Sequence, residues 1–64
     1  MKSNLKVFRE KAGLSQVKLA ELSDVNIRLI QDYEQKHKDI NNAKAITLLK
    51  LANTLNCDIK DLME

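Results

Sequence analysis

Short apolar runs recur along the chain, and their leading edges repeat one arrangement. An apolar residue is followed by Ser, Asn or Asp, and a second apolar residue comes four positions after the polar one. This is a hydrophobic staple around a helix N-cap, where the polar side chain accepts a hydrogen bond from the first turn. Leu14-Ser15 with Leu19, Val25-Asn26 with Ile30 and Cys57-Asp58 with Leu62 follow the pattern, the last with Asp61 at the capping-box position. Ile40-Asn41 with Ala45 is a weaker instance, with Asn42 as the alternative cap. An opening helix places Leu5, Phe8 and Ala12 on one face and stops at Gly13, which tolerates the left-handed conformation that ends helices. The pattern predicts five helices, over 3–12, 16–23, 27–35, 43–55 and 59–63.

The fourth segment is the most apolar. Ala45, Leu48, Ala52 and Leu55 form one stripe that Ile46, Leu49 and Leu51 widen, so it is expected to be the central packing helix. The chain has no Pro, one Gly, and only Phe8 and Tyr33 as aromatic residues. Strands favour aromatic residues and their turns need Gly or Pro, so sheets are not expected. The fold class is all-α, a compact five-helix bundle forming a single domain over 1–64. Only Ser23-Asp24-Val25-Asn26 separates the second helix from the third, which forces those two to cross closely. The longer stretch Lys36 to Asn42 separates the third from the fourth.

Size and composition then narrow the chemistry. A chain of 64 residues buries only about 60% of its unfolded surface, leaving little core to surrender to an enclosed substrate or cofactor cavity. No nucleophile is paired with a base, and the lone Cys57 and lone His37 supply neither a zinc tetrad nor a disulfide framework. An enzyme, a cofactor, a metal and a small-molecule substrate are therefore not expected. No apolar run approaches the roughly 18 residues of a membrane span, and no signal-peptide core follows Met-Lys-Ser. A soluble, unprocessed cytoplasmic protein without a membrane partner is expected. Lys and Arg number 11 against 9 Asp and Glu, a formal charge of +2. Residues 1–32 hold six basic and four acidic side chains and residues 33–64 five of each, so the basic excess lies in the first half.

Two helices joined by a tight turn, the second opening on a polar cap, match the helix-turn-helix arrangement. The major groove of B-DNA, about 12 Å wide, admits one helix, while the preceding helix braces it and points its N-terminal amides at a phosphate. Ser15-Gln16 opens the bracing helix here, and Asn26-Ile27-Arg28 opens the candidate reading helix.

At this point the chain resembles the phage-repressor-like (Cro-like, XRE) helix-turn-helix family over nearly its whole length. The resemblance runs from Leu5 through Lys6-Val7-Phe8-Arg9-Glu10-Lys11-Ala12-Gly13-Leu14-Ser15-Gln16 to Leu19-Ala20, then Val25-Asn26, Ile30 and Tyr33-Glu34. It continues through Thr47-Leu48-Leu49-Lys50-Leu51-Ala52 and Leu55 to Asp61-Leu62. The resemblance implies a transcriptional regulator, expected to be a repressor, that binds a pseudo-palindromic double-stranded operator as a homodimer. It also implies that Gln16 contacts a phosphate and buttresses the reading helix, and that Ala20 lets the two helices approach. Val25, Ile30 and Tyr33 would hold the reading helix to the body, and Arg9 with Glu34 would form a salt bridge from the first helix to the third. Asn26, Ile27, Arg28, Gln31 and Asp32 fall where the family presents side chains to bases. The chain departs from the family in having Asp24 and Lys36 where Gly is usual, and a longer loop without proline after the third helix. It also carries the apolar Leu22, Ile27 and Leu29 at commonly polar positions.

Arg28 is the foremost base-reading candidate, since a guanidinium pairs bidentately with guanine O6 and N7. Asn26 can serve as an N-cap or read adenine, Gln31 can reach a base or a phosphate, and Ile27 can pack on a thymine methyl or on another protein. Asp32, repelled by phosphate, is expected to act indirectly by holding Arg28. Ser15, Gln16, Lys18, Lys36, His37, Lys38 and Asn41 are the candidate phosphate contacts, which position a protein without specifying sequence. The competing interpretation is a protein-interaction module on the same fold, antitoxin-like or partner-binding, using Leu22, Ile27 and Leu29.

Overall fold

The computed structural model describes residues 2–64, which form an all-helical body measuring 22 × 22 × 19 Å. Five α-helices follow one another: α1 (Asn4–Lys11), α2 (Gln16–Ser23), α3 (Ile27–Glu34), α4 (Ala45–Leu55) and α5 (Ile59–Leu62). A single 3₁₀ turn, Ile40–Asn42, lies between α3 and α4. The described residues contain no strand.

Three of the junctions are built to one plan. Gly13, Asp24 and Asn56 sit in the left-handed region at φ 72°, 57° and 56°. The next residue turns its N–H back five positions, Leu14 to the Arg9 carbonyl, Val25 to Ala20 and Cys57 to Ala52, which satisfies carbonyls the helix end leaves unpaired. That residue is also the apolar half of the following staple, and the cap comes immediately after it. Ser15 Oγ accepts from the Lys18 N–H at 3.0 Å and Asn26 Oδ1 from the Arg28 N–H at 2.7 Å, while Asp61 Oδ2 accepts from the Asp58 N–H at 3.0 Å. Stop, staple and start therefore occupy three consecutive residues, and each pair of helices meets at a fixed angle. Asp24 fills its left-handed position more easily than most residues with a Cβ, and Lys50 Nζ lies 3.6 Å from its carboxylate.

After α3 the same stop is made without a following start. Lys36 adopts φ 62°, its own N–H bonds the Tyr33 carbonyl, and the His37 N–H bonds that of Asp32 at 2.8 Å. His37 and Lys38 are exposed rather than apolar, so no staple forms and the chain runs on into the loop. The sequence pattern predicts a fourth helix from 43 with Asn41 or Asn42 as cap, whereas α4 begins at Ala45 after Lys44, which makes no side-chain cap. Asp39 takes the capping role first, its Oδ1 accepting from the Asn41 N–H at 2.9 Å, and starts the 3₁₀ turn that buries Ile40.

Leu5, Leu19, Ile30, Leu51 and Leu62 form the fully buried centre, one from each helix, surrounded by Val25, Tyr33, Ile40, Leu48, Ala52 and Leu55. Phe8 packs at its edge, but Ala12 is the exposed cap residue beyond α1. The broad apolar stripe expected on α4 is also narrower. At about 100° per residue, Leu48, Leu51, Ala52 and Leu55 share one face and Ile46 points almost opposite. Ile46 and Leu49 are 55% and 47% exposed and Ala45 is exposed as well.

The segment after α5 folds back as a clasp. Glu64 places Oε2 2.8 Å from the Asn4 N–H at the start of α1, and its backbone exchanges two hydrogen bonds of 2.9 and 3.0 Å with the Asn41 side chain. The Asn4 amide also donates to the Met63 carbonyl. The Asn4 N–H, followed by Lys36, holds the Glu64 carboxyl below its ordinary pKa.

Leu51→Ala is expected to cost about 2–5 kcal/mol, because it opens a cavity at the centre of the core. Ile46→Ala, on the solvent face of the same helix, should change stability by less than about 1 kcal/mol. Urea unfolding of both variants checks the assignment of the two faces.

Candidate nucleic-acid interface

The interface begins with a carboxylate that is almost wholly out of water. The Glu34 side chain, at the end of α3, is 3% exposed, and Arg9 on α1 meets it with two parallel hydrogen bonds, Nε to Oε2 at 2.7 Å and Nη2 to Oε1 at 3.0 Å. Arg9 spends a third donor on the Leu14 carbonyl at 2.8 Å, which pins the α1–α2 junction. Gln16 completes the group: its Nε2 donates to Glu34 Oε1 at 3.0 Å from the first residue of α2. One anion thus ties α1, α2 and α3 together, and the bond to Glu34 raises the Arg9 pKa. Every buried side-chain polar atom among the described residues is satisfied.

This group fixes the angle at which α3 stands on the body. Ile30 and Tyr33 hold its inner face in the core, and Leu29, expected to be exposed, packs against the core from the side. Asn26, Ile27, Arg28 and Gln31 lie on the remaining face near the N-terminus of α3. Asn26 and Arg28 are exposed there, Ile27 and Gln31 partly so. The Arg28 side chain is 80% exposed, with Nε 3.6 Å from Asp32 Oδ1 one turn along. His37 Nδ1 lies 3.8 Å from that same oxygen, so Asp32 stands between the two. Asn26 commits Oδ1 to its cap, which leaves its amide nitrogen but not the paired donor and acceptor that bidentate adenine contact requires.

The candidate phosphate contacts fall into three groups. Ser15 and Lys18 sit at the open end of α2, with Lys18 loosely paired to Glu21 at 3.8 Å, while Gln16 turns inward to Glu34. His37 and Lys38 are exposed in the loop. Lys38 lines an open groove of about 540 Å³ with Leu29, Tyr33, Ala43, Lys44 and Thr47, so the loop, α3 and the start of α4 share one surface. Lys44 and Thr47 escaped the sequence reading. The sequence offers Asn41 or Asn42 as the cap of that helix, and only the structure shows that α4 starts after Lys44 with no side-chain cap. Lys36 and Asn41 form the third group, and both are engaged: Lys36 Nζ is 3.1 Å from Glu64 Oε1, and Asn41 is bound at both polar atoms by the Glu64 backbone. No cluster of metal-binding side chains occurs among the described residues. Cys57 packs at the core edge, its thiol pKa raised by burial and by Asp61 and Asp58.

Compared with known families, the chain matches the helix-turn-helix family over residues 5–62. The chain belongs to the Cro/XRE-like helix-turn-helix family. No curated protein matches it. As a helix-turn-helix protein of this kind it is a DNA-binding regulator, with α2 and α3 as its paired helices. The match reaches α5, so the helix-turn-helix pair is one part of a five-helix family domain. Among the described residues, no helix is long and apolar enough to cross a membrane.

Arg9→Met should destabilise this domain by about 3–5 kcal/mol, because it strands the buried Glu34 carboxylate without its cation. The double variant Arg9→Met/Glu34→Gln should recover part of that loss, since no buried charge is then unpaired. Thermal melting of the two variants beside the parent measures both.

Proposed function

We propose that this chain is a sequence-specific transcriptional repressor that lays α3 in the major groove and binds a pseudo-palindromic operator as a homodimer. One observation carries the reading: α3 is held rigidly along one side by Ile30, Tyr33 and Glu34 while Arg28, near its N-terminus, stands 80% exposed. A helix braced in this way meets base edges without first being ordered, so little binding energy is lost to reorganisation.

Arg28 reads guanine, with Asp32 limiting the directions its guanidinium takes. Ile27 packs on a thymine methyl and Gln31 reaches the next base or its phosphate, while Asn26 serves chiefly as the cap. Ser15, Gln16 and Lys18 at the start of α2 grip one phosphate strand. His37, Lys38 and the loop toward Asn41 grip the other, with Lys36 joining them when released from Glu64. A single helix covers only a few base pairs, so two copies on half-sites about 34 Å apart supply the site length a repressor needs. The place of action is the cytoplasm. The second reading, a protein-interaction module, is favoured by one observation, the exposure of Val17, Leu22, Ile46 and Leu49.

Selection from a random duplex pool, with Arg28→Ala carried beside the parent, separates the two. The parent is expected to enrich a two-fold site, and Arg28→Ala to lose about 1–3 kcal/mol of discrimination at one base position of each half-site. Enrichment unaffected by Arg28→Ala would contradict base reading by Arg28. The absence of any enriched site would favour the protein-partner reading.

A further inference from the structure

Lys36 and Asn41 are two side chains of the loop that DNA-backbone contact would use, and both are already held by Glu64. The holding is not reciprocal chance between flexible side chains. Glu64 is fixed by partners other than Lys36: the first N–H of α1 on Oε2, and the Asn41 side chain on both its backbone N–H and its carbonyl. The carboxylate is thus a stationary anion, and its other oxygen faces the loop where Lys36 Nζ meets it at 3.1 Å. A cleft of about 230 Å³ opens between Lys36, Glu64, Lys38 and Ile40, and Lys38 and Asp39 continue from it into the groove beside α3. The Lys36–Glu64 pair is half-exposed, so it is weak enough to be exchanged.

We propose that Glu64 is a built-in competitor for DNA phosphate: its carboxylate occupies the Lys36 ammonium in the free protein and gives it up to the DNA backbone on binding. The proposal rests on the DNA-binding reading above. Its consequence is a lowered affinity for DNA of any sequence, because forming the phosphate contact requires breaking an existing ion pair. Base recognition by α3 is untouched, so the device lowers specific and non-specific affinity by the same factor and shortens the time spent on any site.

The test measures binding of a random-sequence duplex by fluorescence anisotropy over a series of salt concentrations, for the parent, Glu64→Gln, Lys36→Gln and the double variant. Gln at 64 keeps an acceptor for the Asn4 N–H, so the fold is expected to survive, which a thermal melt checks. Glu64→Gln should bind about 3–10-fold tighter at low salt, with the slope of log K against log salt little changed, since the same phosphate contact forms in both complexes. With Lys36→Gln already present, the same change should alter affinity by less than about twofold. An equal gain in both backgrounds would overturn the proposal, since removal of any acidic charge would then suffice. No gain in either, or loss of the fold in Glu64→Gln, would also overturn it. A parent that binds no duplex at any salt would overturn the DNA-binding reading itself.

Discussion

The structure depends on keeping one carboxylate out of water. Glu34 is buried at the meeting point of α1, α2 and α3, and such a group is tolerable only when both of its oxygens meet well-placed donors. Arg9 and Gln16 supply those donors from the two other helices, so any change in the α2–α3 angle would unpair a buried charge. A small apolar core alone would permit helices to slide by a fraction of a turn. The carboxylate does not, and it converts a helical bundle of modest size into a platform with one orientation. It also shows how Gln16 is divided between two tasks: its amide nitrogen braces α3, while its backbone sits at the open N-terminus of α2, where a phosphate is best received.

The second constraint is repeated in the backbone. A left-handed residue, an apolar residue and a cap stand in that order at Gly13-Leu14-Ser15, Asp24-Val25-Asn26 and Asn56-Cys57-Asp58. Each apolar member closes one helix with its N–H and anchors the next with its side chain. The one junction that breaks the order, Lys36-His37-Lys38, has no apolar residue to bury, and there the chain leaves the body as an exposed basic loop. Local chemistry therefore decides where the protein is compact and where it reaches outward.

The same features explain what was legible beforehand. The starts of α2, α3 and α5 followed from Ser15, Asn26 and Asp58 because caps and staples act over four or five residues. The tie between Arg9 and Glu34, 25 residues apart, was legible only through family resemblance, since no local rule pairs them. The start of α4 was misplaced because Asp39, Asn41 and Asn42 all suit a cap, and the burial of Ile40, a tertiary event, selects Asp39. Ile46 and Leu49 looked like core because so apolar a helix offers several faces that periodicity cannot rank. The clasp on Asn4, Lys36 and Asn41 left no sequence signal at all, as it joins residues 23 to 60 positions apart through ordinary surface side chains. The candidate base-reading positions were legible only as residues sharing a helix face, and the commitment of Asn26 to its cap needed the hydrogen bonds.

The central claim is that a rigidly braced α3 presents its exposed face to DNA. Amide chemical-shift mapping of the labelled protein, titrated with its selected duplex, tests this most directly. The account predicts large shifts at Ser15 to Lys18, at Asn26 to Gln31 and in the 37–38 loop, with the buried residues of α4 and α5 little changed. Shifts centred instead on Leu22, Ile46 and Leu49, or spread evenly through the core, would contradict it.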